Sequence, residues 1–320
     1  KVIFFGSDAI CLPFLNFLIK EGAAFGTLAA VVSQPDRRRG RGKKEQANPV
    51  AAWASENGIA LFQPEKPDRQ LAASLNEINP VIGFVMAYGH FLPNYLRDLP
   101  DHGLVNFHGS ILPAYRGASP VETALAEGLS STGVSLMQIV RAMDAGGVAD
   151  IEEVAISDVD TAVSLRLKIG QAVVPLMSRN FNDCLSGNLS YKPQDSNQAS
   201  YCRKITKEDG AIDFTLPAAQ IASRIRAFTP WPGGYFDYND ERLKVGRCGC
   251  VEVNTGHPPA TVLGLDEESC LRIACEKSVL LVYELQRPGG RMLPVSDFLR
   301  GFDLPVGTRL GSVPARALVL

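Results

Sequence analysis

The run Val81-Ile82-Gly83-Phe84-Val85-Met86-Ala87 constrains this chain more than any other stretch. It is apolar at both parities, so a strand here has no face to offer to water. Strands buried on both faces belong to parallel sheets covered by helices on each side. Residues 2–5, 28–32, 60–62, 104–107, 134–140 and 150–156 read as further strands. Between them the apolar spacing predicts helices. One follows Gly6-Ser7-Asp8 and uses Leu12, Leu15, Phe17 and Leu18; others span 49–57, 70–75, 120–127 (capped by Ser119) and 162–185. This alternation predicts a doubly wound, mostly parallel, Rossmann-like α/β sheet over residues 1–187.

Beyond residue 187 the pattern changes. Residues 188–205 hold Asn, Ser, Pro, Gln and Asp with little periodic hydrophobicity and read as a linker. A helix is expected over 217–228, then short strands alternating with turns to the end, which predicts a smaller β-barrel (OB-like) domain over 206–320. The formal net charge of −2 excludes a chain-wide bias toward nucleic acid, so any basic surface is local. No apolar run approaches the roughly 20 residues that span a bilayer. The opening Lys1-Val2-Ile3-Phe4-Phe5-Gly6 turns too early for a signal peptide and reads as a first strand. The seven cysteines are odd in number and scattered, and Cys248-Gly249-Cys250 is too tight for a zinc pair. They read as reduced thiols of a cytoplasmic protein that holds no metal.

Chemistry concentrates in residues 104–117. Asn106 and His108 lie two apart at the carboxyl end of a strand, so both point to one face. In open α/β sheets that end is where ligands bind. An amide there can donate to a carbonyl oxygen that is becoming an oxyanion, and an imidazole can move protons near neutral pH. For an isolated Asn-x-His, capping of the turn that follows is the better reading. A second informative stretch begins at Arg37: six of the eight residues to Lys44 are basic and the other two are Gly. Such a run repels itself and stays mobile unless an anion neutralises it, which points to the phosphates of a nucleic acid.

Asn106-x-His108, then Ser110-Ile111-Leu112-Pro113-x-x-Arg116-Gly117, then Asp144 in 138–146, resembles the signature of the folate-dependent formyltransferase family. The resemblance implies a catalytic set of Asn106, His108 and Asp144, with Asp144 orienting the imidazole. It implies folate contacts at Met86, Ala87, Tyr88, His90 and Leu92, at Ser110, Ile111, Leu112 and Pro113, and at Ile139 and Val140. Arg116 is open to either a substrate role or one of tying down its loop. The basic run resembles the insertion loop of the tRNA-specific members. It implies contacts to initiator methionyl-tRNA by Arg37, Arg38, Arg39, Arg41, Lys43 and Lys44, with Arg41 at the key position. Residues 204–214, 226–234 and 286–292 resemble the carboxyl-terminal domain of the same members, where Arg224, Arg287, Arg291 and Arg300 would build a basic channel. The chain departs from the family at His90 (usually Gln), Val140 (usually Asp), Ala142 (usually Gly), Gly147-Val148 (usually Gly-Asp) and 119–123.

The activity so implied is transfer of the formyl group of 10-formyltetrahydrofolate, a co-substrate, to the α-amino group of methionyl initiator tRNA for translation initiation. The expected partners are that tRNA and the folate, with no membrane and the chain a monomer. Two other readings stay open: formylation of a nucleotide-linked amino sugar, and a non-catalytic RNA-binding protein on a degenerate transferase fold.

Overall fold

The computed structural model describes residues 1–39 and 44–320, and the side chains of all these but 38, 39, 44 and 45. Arg41 and Lys43 lie outside the described residues. The chain divides into two compact units. One comprises Lys1–Gly117, Ser131–Ala155 and Arg166–Ser200; the other comprises Ala118–Ser130, Ile156–Leu165 and Tyr201–Leu320. Residues 188–200, read from the sequence as linker, thus belong to the first unit. Their polarity disguised a backbone role: Lys192 and Val148 exchange both N–H···O bonds at 2.9 Å.

The first unit is built on a seven-stranded sheet. In chain order its strands are β1 (Val2–Phe5), β2 (Leu28–Val32), β3 (Ala60–Phe62), β4 (Ile82–Val85), β5 (Leu104–His108), β6 (Ser131–Gln138) and β7 (Val148–Ala155). They lie side by side as β7-β6-β5-β4-β1-β2-β3. The five strands from β3 to β5 are parallel; β6 and β7 run antiparallel on one edge. Strand order reverses between β1 and β4, the switch point at which a crevice opens outside the carboxyl ends. Gly6 makes that turn close: a Cβ there would sit 2.7 Å from the Met86 carbonyl oxygen.

The burial of β1 and β4 is complete, as their unbroken apolar sequence requires. Phe107 of β5 points into an aromatic layer, 4.8 Å from the Phe14 ring and 6.0 Å from the stacked Phe84 ring. Leu104 points the other way, into the cluster of Ile3, Phe5, Val32, Leu75 and Leu96. By strand alternation Asn106 and His108 share the Leu104 face and prolong it past the apolar cluster.

The basic run does not stay a bare loop. Arg37–Arg39 and Lys44–Gln46 pair as two antiparallel strands, with Arg38 opposite Glu45 in register.

The second unit is a smaller antiparallel β domain. One four-stranded sheet joins Gly234–Tyr238, Glu241–Val245, Glu284–Gln286 and Leu293–Pro294; the other joins Cys248–Val251, Ser278–Val282, Leu271–Cys275 and Val262–Leu265. They enclose a core of Phe236, Leu243, Ile273, Leu280 and Phe298 together with Ile221 and Ile225 of the helix Ala218–Ala227. The helix Pro120–Ala126 packs on this helix. Ser119 precedes it but makes no capping bond; its Oγ instead accepts from the Ile205 N–H at 3.4 Å. Arg224, expected in a basic channel, is buried over the Phe228 ring at 5.2 Å, and Arg287 is paired with Glu241. All seven cysteines are free thiols. Among the described residues no group of three or more His, Cys, Asp or Glu is placed to hold a metal ion, and no helix is long and apolar enough to cross a membrane.

Candidate active site

Strand β5 ends on a buried imidazole. His108 lies opposite Ser135 of β6, and Asn106 lies opposite Met137. The His108 Nε2 is 2.9 Å from the Tyr115 carbonyl oxygen, and because a carbonyl only accepts, Nε2 is the donor. The other ring nitrogen, Nδ1, faces the Asp144 Oδ2 at 3.7 Å, an ion-pairing distance beyond hydrogen-bond reach. That same Oδ2 accepts the Gly117 N–H at 2.8 Å. The amide of Asn106, half-buried, has no hydrogen-bond partner among the described residues. Amide and imidazole thus share one face of β5, the imidazole faces the carboxylate, and the amide has no partner among the described residues.

Two turns deliver the groups that face the ring. Tyr115 and Asp144 both take left-handed backbone, at φ 58° and 50°. For residues other than Gly this costs of order 1–3 kcal/mol each and persists only where neighbours enforce it. They do so here. Ser135 Oγ donates to the Ser110 carbonyl at 2.7 Å and accepts from the Leu112 N–H at 3.0 Å, tying the loop after β5 to β6. Ser200 Oγ accepts the Tyr115 N–H at 2.9 Å. Arg116, 3% exposed, is held by Gln194, which ties down its loop. Gln194 in turn donates to the carbonyls of Asp144 and Gly146 at 2.8 and 2.7 Å. The sequence reading passed over Ser135, Gln194 and Ser200; an isolated Gln or Ser, whether in a strand or in a polar stretch, has no spacing signal that could reveal it.

Residues 1–179 match the formyl transferase family, and residues 204–303 match the formyl transferase C-terminal domain. The chain belongs to the formyl transferase family. The methionyl-tRNA formyltransferase of Sulfurihydrogenibium sp. (strain YO3AOP1) is 34% identical, over 97% of this chain and 99% of its own length. That of Delftia acidovorans is 37% identical over 97% of each. Among solved structures, the methionyl-tRNA formyltransferase from Clostridium thermocellum aligns at a TM-score of 0.57 and 15% identity, over 78% of this chain and 92% of its own. A sugar 3N-formyl transferase, WlaRD, solved in the presence of dTDP and 5-N-formyl-THF, aligns at 0.66 and 18% identity over 91% and 98%. At those identities the two structures support the fold.

Within this formyl transferase, the residues expected at a folate divide into two groups. Met86, Tyr88 and Leu92 are buried in the core, not set out as walls. The cause is the left-handed turn at Ala87 (φ 47°), which leaves Ala87 itself exposed and sends the Tyr88 ring in against Phe5 at 5.5 Å. Burial pushes the Tyr88 phenol up to about 12, and its hydroxyl has no partner among the described residues. The Nε2 of His90, whose ring is 5.4 Å from that of Tyr88, is likewise buried and unpartnered. Ile111, Pro113, Ile139 and Val140 are half-buried, while Ser110 and Leu112 are buried. The Ser110 hydroxyl is spent on the Ala114 carbonyl at 2.6 Å. Phe91, which the sequence reading did not single out, is 69% exposed beside this group. Of the expected tRNA-contacting residues, Arg37 is exposed at the start of the hairpin; Arg38, Arg39 and Lys44 are placed by their backbone alone.

Proposed function

We propose that this chain transfers the formyl group of 10-formyltetrahydrofolate to the α-amino group of methionyl initiator tRNA, giving formylmethionyl-tRNA. The observation that carries the reading is an uncommitted Asn106 amide on the same strand face as a His108 imidazole that faces Asp144. Relatives about 35% identical over nearly the whole chain, named methionyl-tRNA formyltransferase, support the choice of acceptor. In this mechanism the amine nitrogen attacks the formyl carbon, and the formyl oxygen gains charge. The Asn106 amide donates to that oxygen. His108 takes the proton lost by the attacking amine and returns one to N10 of the folate as the C–N10 bond breaks, which leaves tetrahydrofolate. Asp144 holds the imidazole in place. A free α-amino group has a pKa of about 7.7–8.0, so a base is needed near neutrality. To reach substrate, His108 Nε2 leaves the Tyr115 carbonyl and the ring proton moves to Nδ1, facing Asp144, so that Nε2 presents its lone pair to the attacking amine.

The loops at 86–92, 110–113 and 139–140 receive the folate, with the three buried side chains of the first loop shaping it from beneath. The basic run from Arg37 to Lys44, in which Arg41 and Lys43 lie outside the described residues, contacts tRNA phosphates, and the protein works in the cytoplasm. The test is formylation by the purified chain with 10-formyltetrahydrofolate and charged initiator tRNA, run beside an amino-sugar nucleotide. Formylated methionyl-tRNA is the expected product. Turnover of the sugar alone, or tRNA binding with no turnover, overturns the proposal.

A further inference from the structure

We infer that Gln194 is a positioning residue for the His108–Asp144 pair; this rests on the reading of the site given above. Its side chain joins both turns facing the imidazole, beside the direct bond from the Gly117 N–H to Asp144. Its Oε1 accepts from Arg116 Nε at 3.1 Å and Nη2 at 2.8 Å. Its Nε2 donates to the Asp144 carbonyl at 2.8 Å and the Gly146 carbonyl at 2.7 Å. The first pair of bonds holds the residue between Tyr115, whose carbonyl bonds His108, and Gly117, whose N–H bonds Asp144. The second pair fixes the turn that carries the Asp144 carboxylate. The amide therefore spends its acceptor on one turn and its donors on the other, and no other side chain offers both at this length. Glu would keep the Arg116 bonds but set an acceptor against two carbonyl oxygens. Gln194 touches no reacting atom, so its effect passes through the distance and orientation of Asp144 to His108.

The experiment compares Gln194→Ala and Gln194→Glu, alone and combined with Asp144→Ala, in formylation of charged initiator tRNA. Both single variants are expected to lose about 10- to 100-fold in kcat, the scale on which a misplaced catalytic group is felt. KM for tRNA and for the formyl donor should stay within about twofold. Because Gln194 acts through Asp144, adding Gln194→Ala to Asp144→Ala should cost almost nothing further. Circular dichroism confirms that each variant is folded, and Gln194→Glu, which keeps the Arg116 anchor, serves if the alanine variant does not fold. Wild-type kcat in the folded variants, or a loss that multiplies with that of Asp144→Ala, overturns this inference alone. A wild-type chain with no turnover overturns the functional reading and this inference with it.

Discussion

Replacing Asn106 by Ala separates catalysis from folding more cleanly than any other change at this site. The Asn106 amide makes no hydrogen bond to another described residue, and its side chain is half-buried at a strand end. Removing it breaks no internal bond and strands no buried partner. The stability change should therefore fall within the roughly ±0.5 kcal/mol of ordinary half-exposed positions. At about 2–4 °C per kcal/mol for domains of this size, the melting temperature should move by no more than about 2 °C. The catalytic effect should be far larger. A side-chain donor to a developing oxyanion contributes roughly 2.7–4 kcal/mol, so kcat should fall about 10²- to 10³-fold. KM for tRNA should barely change, because the bond strengthens only as the oxygen gains charge. Asn106→Asp, nearly the same size, should be as slow or slower, since it swaps the donor for a negative charge. The assay is steady-state formylation of charged initiator tRNA, with melting followed on the same preparations. A kcat within threefold of wild type would falsify the oxyanion role. So would a drop in rate accompanied by a matching drop in stability.

Three further outcomes follow from particular residues. A Cβ on Gly146 would sit 1.9 Å from the Gln138 carbonyl oxygen, so Gly146→Ala should displace the Asp144 turn and cut kcat while the chain still folds; unchanged turnover would show that the turn tolerates displacement. Arg41→Ala should raise KM for charged tRNA and flatten its dependence on salt, since each phosphate left unneutralised lowers the slope by about one unit; an unaltered slope would remove this residue from the interface. In the second unit, burial pushes the Asp209 carboxyl up, but bonds from Arg203 and from the Thr206 N–H and hydroxyl outweigh it and hold it down at about 2. The ordinary value is 3.8, so the charged form adds about 2 kcal/mol of stability above pH 4, which disappears as pH falls from 4 toward 2. Asp209→Asn should flatten the acid limb of the urea midpoint, and an unchanged limb would assign that stability to other carboxylates.

What the sequence revealed, and what it hid, follows from how far apart in the chain the interacting groups lie. The sheet was legible because β1, β2 and β4 are apolar at nearly every position, and such runs have few alternatives to a covered parallel sheet. Asn106 and His108 were legible because the strand's own alternation puts them on one face. The burial of the Tyr88 ring was not legible, because one left-handed residue, Ala87, turns the chain between Met86 and the loop, and no spacing rule announces it. The hairpin in the basic run was invisible because Arg, Lys and Gly have little strand preference of their own. Gln194 and Ser200 were hidden most completely, since they act on residues 50 and 85 positions away. Their place depends on sheet order. Strand β5 lies between β4 and β6, so the loop after β5 meets Ser135 of β6, and β7 returns beside it to pair with Lys192. That pairing lays the polar segment 192–200 against both turns around His108. A stretch with no periodicity of its own thereby holds the two strained residues, Tyr115 and Asp144, on either side of one imidazole.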